Sequence, residues 1–231
     1  MDAGLLGGVL SIVAIDLVLS GDNAVVIALA TLRLNDKDRK KGIFWGTFGA
    51  VTLRIILASI AVMVLKLPFV QAIGGILLIV IAINLLRGNE NDENIQAAGS
   101  LGEAIQTIIF ADFLMSLDNV LAVAGASKGN ILLLIFGLMI SIPVVIFGST
   151  IISKLMKKWT WLISLGAGLL GWTAGGMILN DSFFSFLTKT AILNYLIPGV
   201  LAIGVIVIGN ILKKKNNSKS KGQKDIQNKI A

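Results

Sequence analysis

The chain has 231 residues, 55% of them hydrophobic and only 14% charged, with a net charge of +7 and a mean hydropathy of +0.88. A water-soluble domain of this length needs far more polar surface, so the composition excludes one and points to a membrane class. The chain contains no Cys and no His, which excludes disulfides and removes thiolate and imidazole from any metal-ligand set.

Apolar stretches of about 20 residues, the length that crosses a bilayer, follow one another along the chain. The first, 5–32, carries Asp16 and Asp22, and the second, 42–65, carries Arg54. The third, 67–86, is uncharged. After an acidic linker with Glu90, Asp92 and Glu93, the fourth, 101–126, carries Glu103, Asp112 and Asp118. Stretches 129–153, 159–180 and 190–212 are again uncharged. The opening Met-Asp-Ala lacks a basic n-region, so the first stretch is expected to be retained as a span. The expected fold is therefore an all-α polytopic membrane bundle of seven transmembrane helices. A basic, Asn/Ser-rich tail from Lys213 to Ala231 is expected to be disordered.

Charge bias predicts the orientation. With seven spans, one side holds the loops at 33–41, 87–100 and 154–158 and the tail, with five, one, three and seven basic residues. The other side holds only Lys66, Lys128 and Lys189. The positive-inside rule makes the first side cytoplasmic, with the N-terminus outside and the C-terminus inside. The basic residues read as topology anchors near anionic lipid. They give no reason to expect nucleic acid as a partner.

One motif occurs twice, 96 residues apart: DLVLSGDN at 16–23 and DFLMSLDN at 112–119. The copies fall in spans one and four. With three spans in each repeat, about 5–87 and 101–180, the halves run in opposite directions, and the stretch 190–212 is an extra helix. Inverted repeats of this kind place substrate sites near the bilayer midplane. IGGILL at 73–78 and LGAGLL at 165–170 are a weaker second match.

An intramembrane acid is costly and reads as functional by default. At about 100° per residue, Asp16, Ser20 and Asn23 share one face of a helix, while Asp22 lies roughly 120° away. Asp112, Ser116, Asn119 and Asp118 repeat this pattern. Either the helix breaks near the motif, or Asp22 and Asp118 meet different neighbours. Gly21 favours a break in the first copy, whereas Leu117 occupies the equivalent place in the second. At a break, Ser20, Asp22 and Asn23 would supply good N-cap side chains for a second half-helix. Crossing the two helices would gather the four carboxylates. Carboxylate, amide and hydroxyl are hard donors suited to Mg²⁺, Ca²⁺ or Mn²⁺. The expected metal ligands are Asp16, Asp22, Asn23, Asp112, Asp118 and Asn119, with Ser20, Ser116 and Arg54 in secondary roles. Met115 reads as packing beside the motif, and Glu103 as a helix N-terminal residue near the cytoplasmic mouth. Four carboxylates around one dication leave excess negative charge, to be offset by protons, a second cation or Arg54. Arg54, in mid-span, is expected to face inward and pair with one of the acids.

The segments DLVLSGDNAVVIA at 16–28 and DFLMSLDNVLAVA at 112–124 resemble those of the TerC family of integral membrane proteins, within the lysine-exporter superfamily. The resemblance spans both three-helix halves. It implies manganese export across the bacterial plasma membrane, with Mn²⁺ as transported substrate, no cofactor, and the lipid bilayer as surroundings. Homo-oligomerisation is left open. Competing readings are export of another ion or an amino acid, an intramembrane aspartyl protease, and a factor that metallates partner proteins.

Overall fold

The computed structural model describes residues 3–64, 69–87, 100–126, 130–184 and 191–230, and every regular element among them is helical. In chain order these are α1 (Ala3–Leu19), α2 (Gly21–Thr31), α3 (Asp36–Val64), α4 (Val70–Arg87), α5 (Leu101–Ala126), α6 (Ile131–Lys158), α7 (Trp161–Asn180) and α8 (Ala191–Ile230). A 3-10 turn, Ser182–Phe184, follows α7. The linker acids Glu90, Asp92 and Glu93 lie outside the described residues.

The molecule is apolar on its outside. Phe44, Ile73, Phe147 and Ile203 are exposed on α3, α4, α6 and α8, while Asp16, Arg54, Asp112 and Ser116 are buried. This inversion of the soluble pattern suits a bundle surrounded by hydrocarbon. Against the seven expected spans, five described helices are long and apolar enough to cross a membrane, and six if α1 and α2 count as one bent span. Helix α5 has 26 residues and carries Asp112 and Asp118. At 1.5 Å per residue it extends about 39 Å, longer than a hydrocarbon core.

Helix packing has a regular plan. Helix α3 lies along α5, and α6 lies in the same way along α1 and α2. Helix α4 touches α5 as α7 touches α2, and α4 packs on α7. Small residues allow these approaches. A Cβ on Gly74 would sit 2.9 Å from Met177 Cε and 3.6 Å from Leu117 on α5. A Cβ on Gly166 would sit 2.9 Å from both Met156 Cε and Val25 on α2. These glycines occupy corresponding places in the two matched six-residue segments.

The two motif-bearing helices differ as Gly21 and Leu117 led the sequence to expect. The first breaks between Leu19 and Gly21, its halves bent by 52°. The second continues unbroken through Leu117. Glycine weakens a helix interior relative to leucine by roughly 1 kcal/mol. Helix α8 departs from expectation. It continues as helix to Ile230, where a disordered tail from Lys213 was expected. Lys and Gln are good helix formers, and no proline interrupts them after Pro198.

Local capping accounts for several helix starts. The Ser100 backbone N–H donates to Glu103 Oε2 at 3.0 Å, and the Glu103 N–H donates to Ser100 Oγ at 3.1 Å. This reciprocal capping box explains Glu103 as a helix N-terminal residue. A tertiary cap closes α4. Asp181, at the end of α7 and 2% exposed, accepts the N–H groups of Phe69 at 3.2 Å and Ala72 at 3.1 Å, and that of Phe183 at 3.0 Å. Burial alone would raise the Asp181 pKa, but the backbone donors of Phe183, Ala72, Phe69 and Gln71 outweigh it and hold the carboxyl below its ordinary value. A depressed folded pKa contributes stability that is full above the unfolded pKa, about 3.9, and is lost as pH falls through the folded value. Asp181→Ala should cost about 1–2 kcal/mol, the range of a lost helix cap. Thermal unfolding in detergent should show the variant below the wild type at neutral pH, with the gap closing in strong acid.

Candidate functional site

The centre of the bundle holds one polar network drawn from three helices. Asp16 lies in the last turn of α1, and Ser20 occupies the break that follows. Asp112 and Ser116 lie one turn apart on α5. Arg54 projects from α3 between them. All five are buried, Asp16 to 1% exposure, Arg54 to 2% and Asp112 to 7%.

Arg54 pairs with both acids rather than with one. Its Nη1 donates to Asp16 Oδ1 and, at 2.8 Å, to Ser20 Oγ. Its Nη2 donates to Asp112 Oδ1 at 2.5 Å, and its Nε to Ser116 Oγ at 3.0 Å. Each serine in turn donates to the aspartate four residues before it: Ser20 to Asp16 Oδ1 at 3.3 Å, and Ser116 to Asp112 Oδ2 at 3.1 Å. Corresponding residues of the two motif copies thus make corresponding bonds to one guanidinium. The planar fork of arginine suits this double engagement in a way a lysine ammonium does not.

Ser20 takes the N-cap place of α2 but makes no side-chain capping bond. The expectation that it caps the second half-helix is corrected. Its hydroxyl is committed to Asp16 and Arg54, and α2 begins with the Ala24 N–H donating to the Ser20 carbonyl at 3.1 Å.

The other expected ligands are placed as follows. Asp22 is half-buried and turned toward α7, where Thr173 Oγ1 donates to its Oδ2 at 3.2 Å and the Asn23 N–H to its Oδ1 at 2.9 Å. Asn23 is 3% exposed, and neither of its amide atoms has a hydrogen-bond partner among the described residues. With Val26, Ile27, Ile108 and Asp112, it lines a crevice too narrow for a water molecule. Asp16 Oδ2 is likewise buried without a hydrogen-bond partner. Asn119 is half-buried on α5. The side chain of Asp118 lies outside the described atoms. Met115 belongs to the apolar core, as its packing role predicted.

Among the described residues no three carboxylates gather closely enough to hold a metal ion. The expectation that the four acids surround one small volume is therefore not met by the described acids. The reason lies in the bend at Ser20 and in Arg54: Asp22 belongs to α2 and turns to Thr173 on α7, and Arg54 occupies the space between Asp16 and Asp112. Thr173 and Thr47, the latter buried on α3 with a hydroxyl that has no hydrogen-bond partner among the described residues, were not singled out from the sequence. Isolated threonines in apolar helices give no signal of their own.

An all-helical chain with an apolar exterior and a buried charged centre is a multi-pass integral membrane protein. The description "Integral membrane protein TerC family" matches residues 1–217, and the chain belongs to that family. It is 44% identical over 212 residues to the uncharacterized membrane protein YjbE of Bacillus subtilis (strain 168), covering 91% of this chain and 97% of that one. It is 27% identical over 196 residues to the uncharacterized membrane protein YkoY of the same organism, covering 74% of this chain and 60% of that one. No solved structure matches.

Charge counting orders the effects of mutation. The network holds two carboxylates and one guanidinium. Removing Arg54 strands both acids, whereas neutralising one acid leaves a balanced pair. Arg54→Gln should lower stability by about 3–5 kcal/mol, the cost of orphaning a buried charge partner. Asp16→Asn or Asp112→Asn should cost less. Adding Asp112→Asn to Arg54→Gln should recover part of the loss. Thermal unfolding of the four purified variants in one detergent checks this order.

Proposed function

We propose that this chain exports a divalent metal cation, Mn²⁺ in the first instance, across the bacterial plasma membrane by alternating access. The observation that carries this reading is the convergence of Asp16 and Asp112, equivalent residues of a duplicated motif, on one buried centre. Acids at such depth mark ion pathways rather than ordinary packing. Beside them Asp16 Oδ2 and Asn23 Oδ1 are buried oxygens with no hydrogen-bond partner among the described residues. Both are hard donors, which fits a hard dication. The choice of Mn²⁺ over Mg²⁺ or Ca²⁺ follows from the family resemblance.

The architecture proposed with this function has seven spans. The bent α1–α2 pair, α3 and α4 form one repeat, α5, α6 and α7 the other, and α8 stands outside both. The reciprocal packing of α3 on α5 and of α6 on α1 and α2 supports an axis exchanging the halves. The placement of Gly74 against α5 and Gly166 against α2 supports the same axis. Three spans per repeat invert the second half, and the basic loops put the C-terminus in the cytoplasm. The bend at Ser20 gives the first half a joint that the second lacks, and a joint beside the site suits a gate.

Amino-acid export is less well supported. Arg54 is the basic residue at the centre, and both of its sides are engaged by Asp16 and Asp112. It has no face left for a substrate carboxylate. Protease chemistry is disfavoured on the same ground, since those two acids are held apart by a guanidinium rather than sharing a water.

Metal content of cells expressing the protein tests the proposal. Wild type should lower cellular Mn. Asp16→Asn and Asp112→Asn should each cut efflux by about tenfold or more, the scale of loss seen when a metal site is perturbed. Asp22→Asn and Asp118→Asn are compared in parallel. Unchanged Mn in cells carrying the wild type contradicts the proposal.

A further inference from the structure

We propose that Arg54 is a tethered stand-in for the transported cation. Its guanidinium and the substrate ion are alternative partners of Asp16 and Asp112, and its return closes the emptied site. This deepens the export reading and rests on it.

The occupancy of the oxygens is the first argument. Of the four carboxylate oxygens at the centre, Asp16 Oδ1 and Asp112 Oδ1 accept from Arg54, and Asp112 Oδ2 accepts from Ser116. Among the described residues only Asp16 Oδ2 of the four is without a partner. A dication needs several oxygens at short range, so it cannot be held here by both acids while Arg54 keeps its bonds. The crevice between Asn23 and Asp112 has no room even for water. The structure therefore represents a closed site already filled by a cation belonging to the chain.

Electrostatics gives the second argument. A guanidinium and a dication a few ångströms apart in a medium of low dielectric repel strongly. Two carboxylates without either cation are also unfavourable. The two stable arrangements are therefore carboxylates with Arg54 and carboxylates with metal. Arginine stays charged at any pH that a folded protein survives, so the stand-in does not depend on a proton. Arg54 thus supplies the counter-charge that returning protons would otherwise supply.

The third argument is the helix from which Arg54 comes. It projects from α3, whereas the acids belong to α1 and α5, so it can leave them without moving either acid. Side chains on a helix lean toward its N-terminus. Thr47, seven residues earlier, lies on the same face of α3, buried, with an Oγ1 that has no hydrogen-bond partner among the described residues. It is a ready acceptor for a guanidinium swung away from the acids.

The test uses the full chain, purified and reconstituted in liposomes, as wild type, Arg54→Gln and Arg54→Lys. Two quantities are read: equilibrium Mn²⁺ affinity, and net Mn²⁺ efflux beside exchange of Mn²⁺ between the two sides. Loss of the competing cation should tighten Mn²⁺ binding at least ~10-fold in Arg54→Gln. That variant should keep Mn²⁺ exchange yet lose net efflux, because the empty site no longer closes. Arg54→Lys retains a charge without the fork and should bind Mn²⁺ with intermediate affinity. It carries the test if Arg54→Gln does not purify folded. Wild type that binds Mn²⁺, with folded Arg54 variants binding it no more tightly, overturns this proposal alone. Wild type that neither binds nor moves Mn²⁺ overturns the export reading, and the stand-in with it.

Discussion

The structure depends on one interaction: a guanidinium held between two carboxylates in the buried centre of the bundle. None of the three charges is tolerable there alone, because desolvation of an isolated ion costs several kcal/mol even after relaxation. The helices around them are arranged to keep the three together. Helix α3 brings Arg54 to the middle of the bundle, α5 presents Asp112 and Ser116 one turn apart, and the bend after α1 seats Ser20 on the same guanidinium. The serines complete the network by satisfying oxygens and N–H groups that would otherwise be stranded. Among the described residues Asp16 Oδ2 and the Asn23 amide are left without hydrogen-bond partners, and Asn23 shares a narrow crevice with Asp112.

Around this centre the packing repeats itself. Helix α3 lies against α5 as α6 lies against α1 and α2, and α4 meets α5 as α7 meets α2. Any movement of α1 against α5 must stretch or relay the bonds of Arg54, since its two acids belong to these two helices. Under the export proposal, substrate binding and conformational change act on the same few hydrogen bonds. The asymmetry at Gly21 and Leu117 confines the local bend to the α1–α2 pair, while α5 continues unbroken.

Much of this was legible in the sequence. The duplicated motif gave the pairing of Asp16 with Asp112, because a repeat of eight residues at 96-residue spacing is unlike chance in an apolar chain. The 120° offset of Asp22 foretold that a continuous face could not hold every acid, and Asp22 indeed turns to α7. Gly21 against Leu117 marked which copy bends. Pairing of Arg54 with two acids rather than one was not legible, because sequence alone does not say that α3 passes between α1 and α5. The partners Thr173 and Asp181 were also invisible. Their roles come from which helix ends meet, and neither carries a local pattern. The extension of α8 to Ile230 was not legible either, because Asn216, Asn217, Ser218, Ser220 and Gly222 are weak helix formers.

The account stands on Asp16 and Asp112 acting together on one dication. Titration of Mn²⁺ into the purified chain, with the wild type set against an Asp16→Asn/Asp112→Asn double variant confirmed as folded, tests this most directly. The account predicts a saturable site in the wild type that disappears in the double variant. Equal affinity and equal stoichiometry in the two proteins would contradict it.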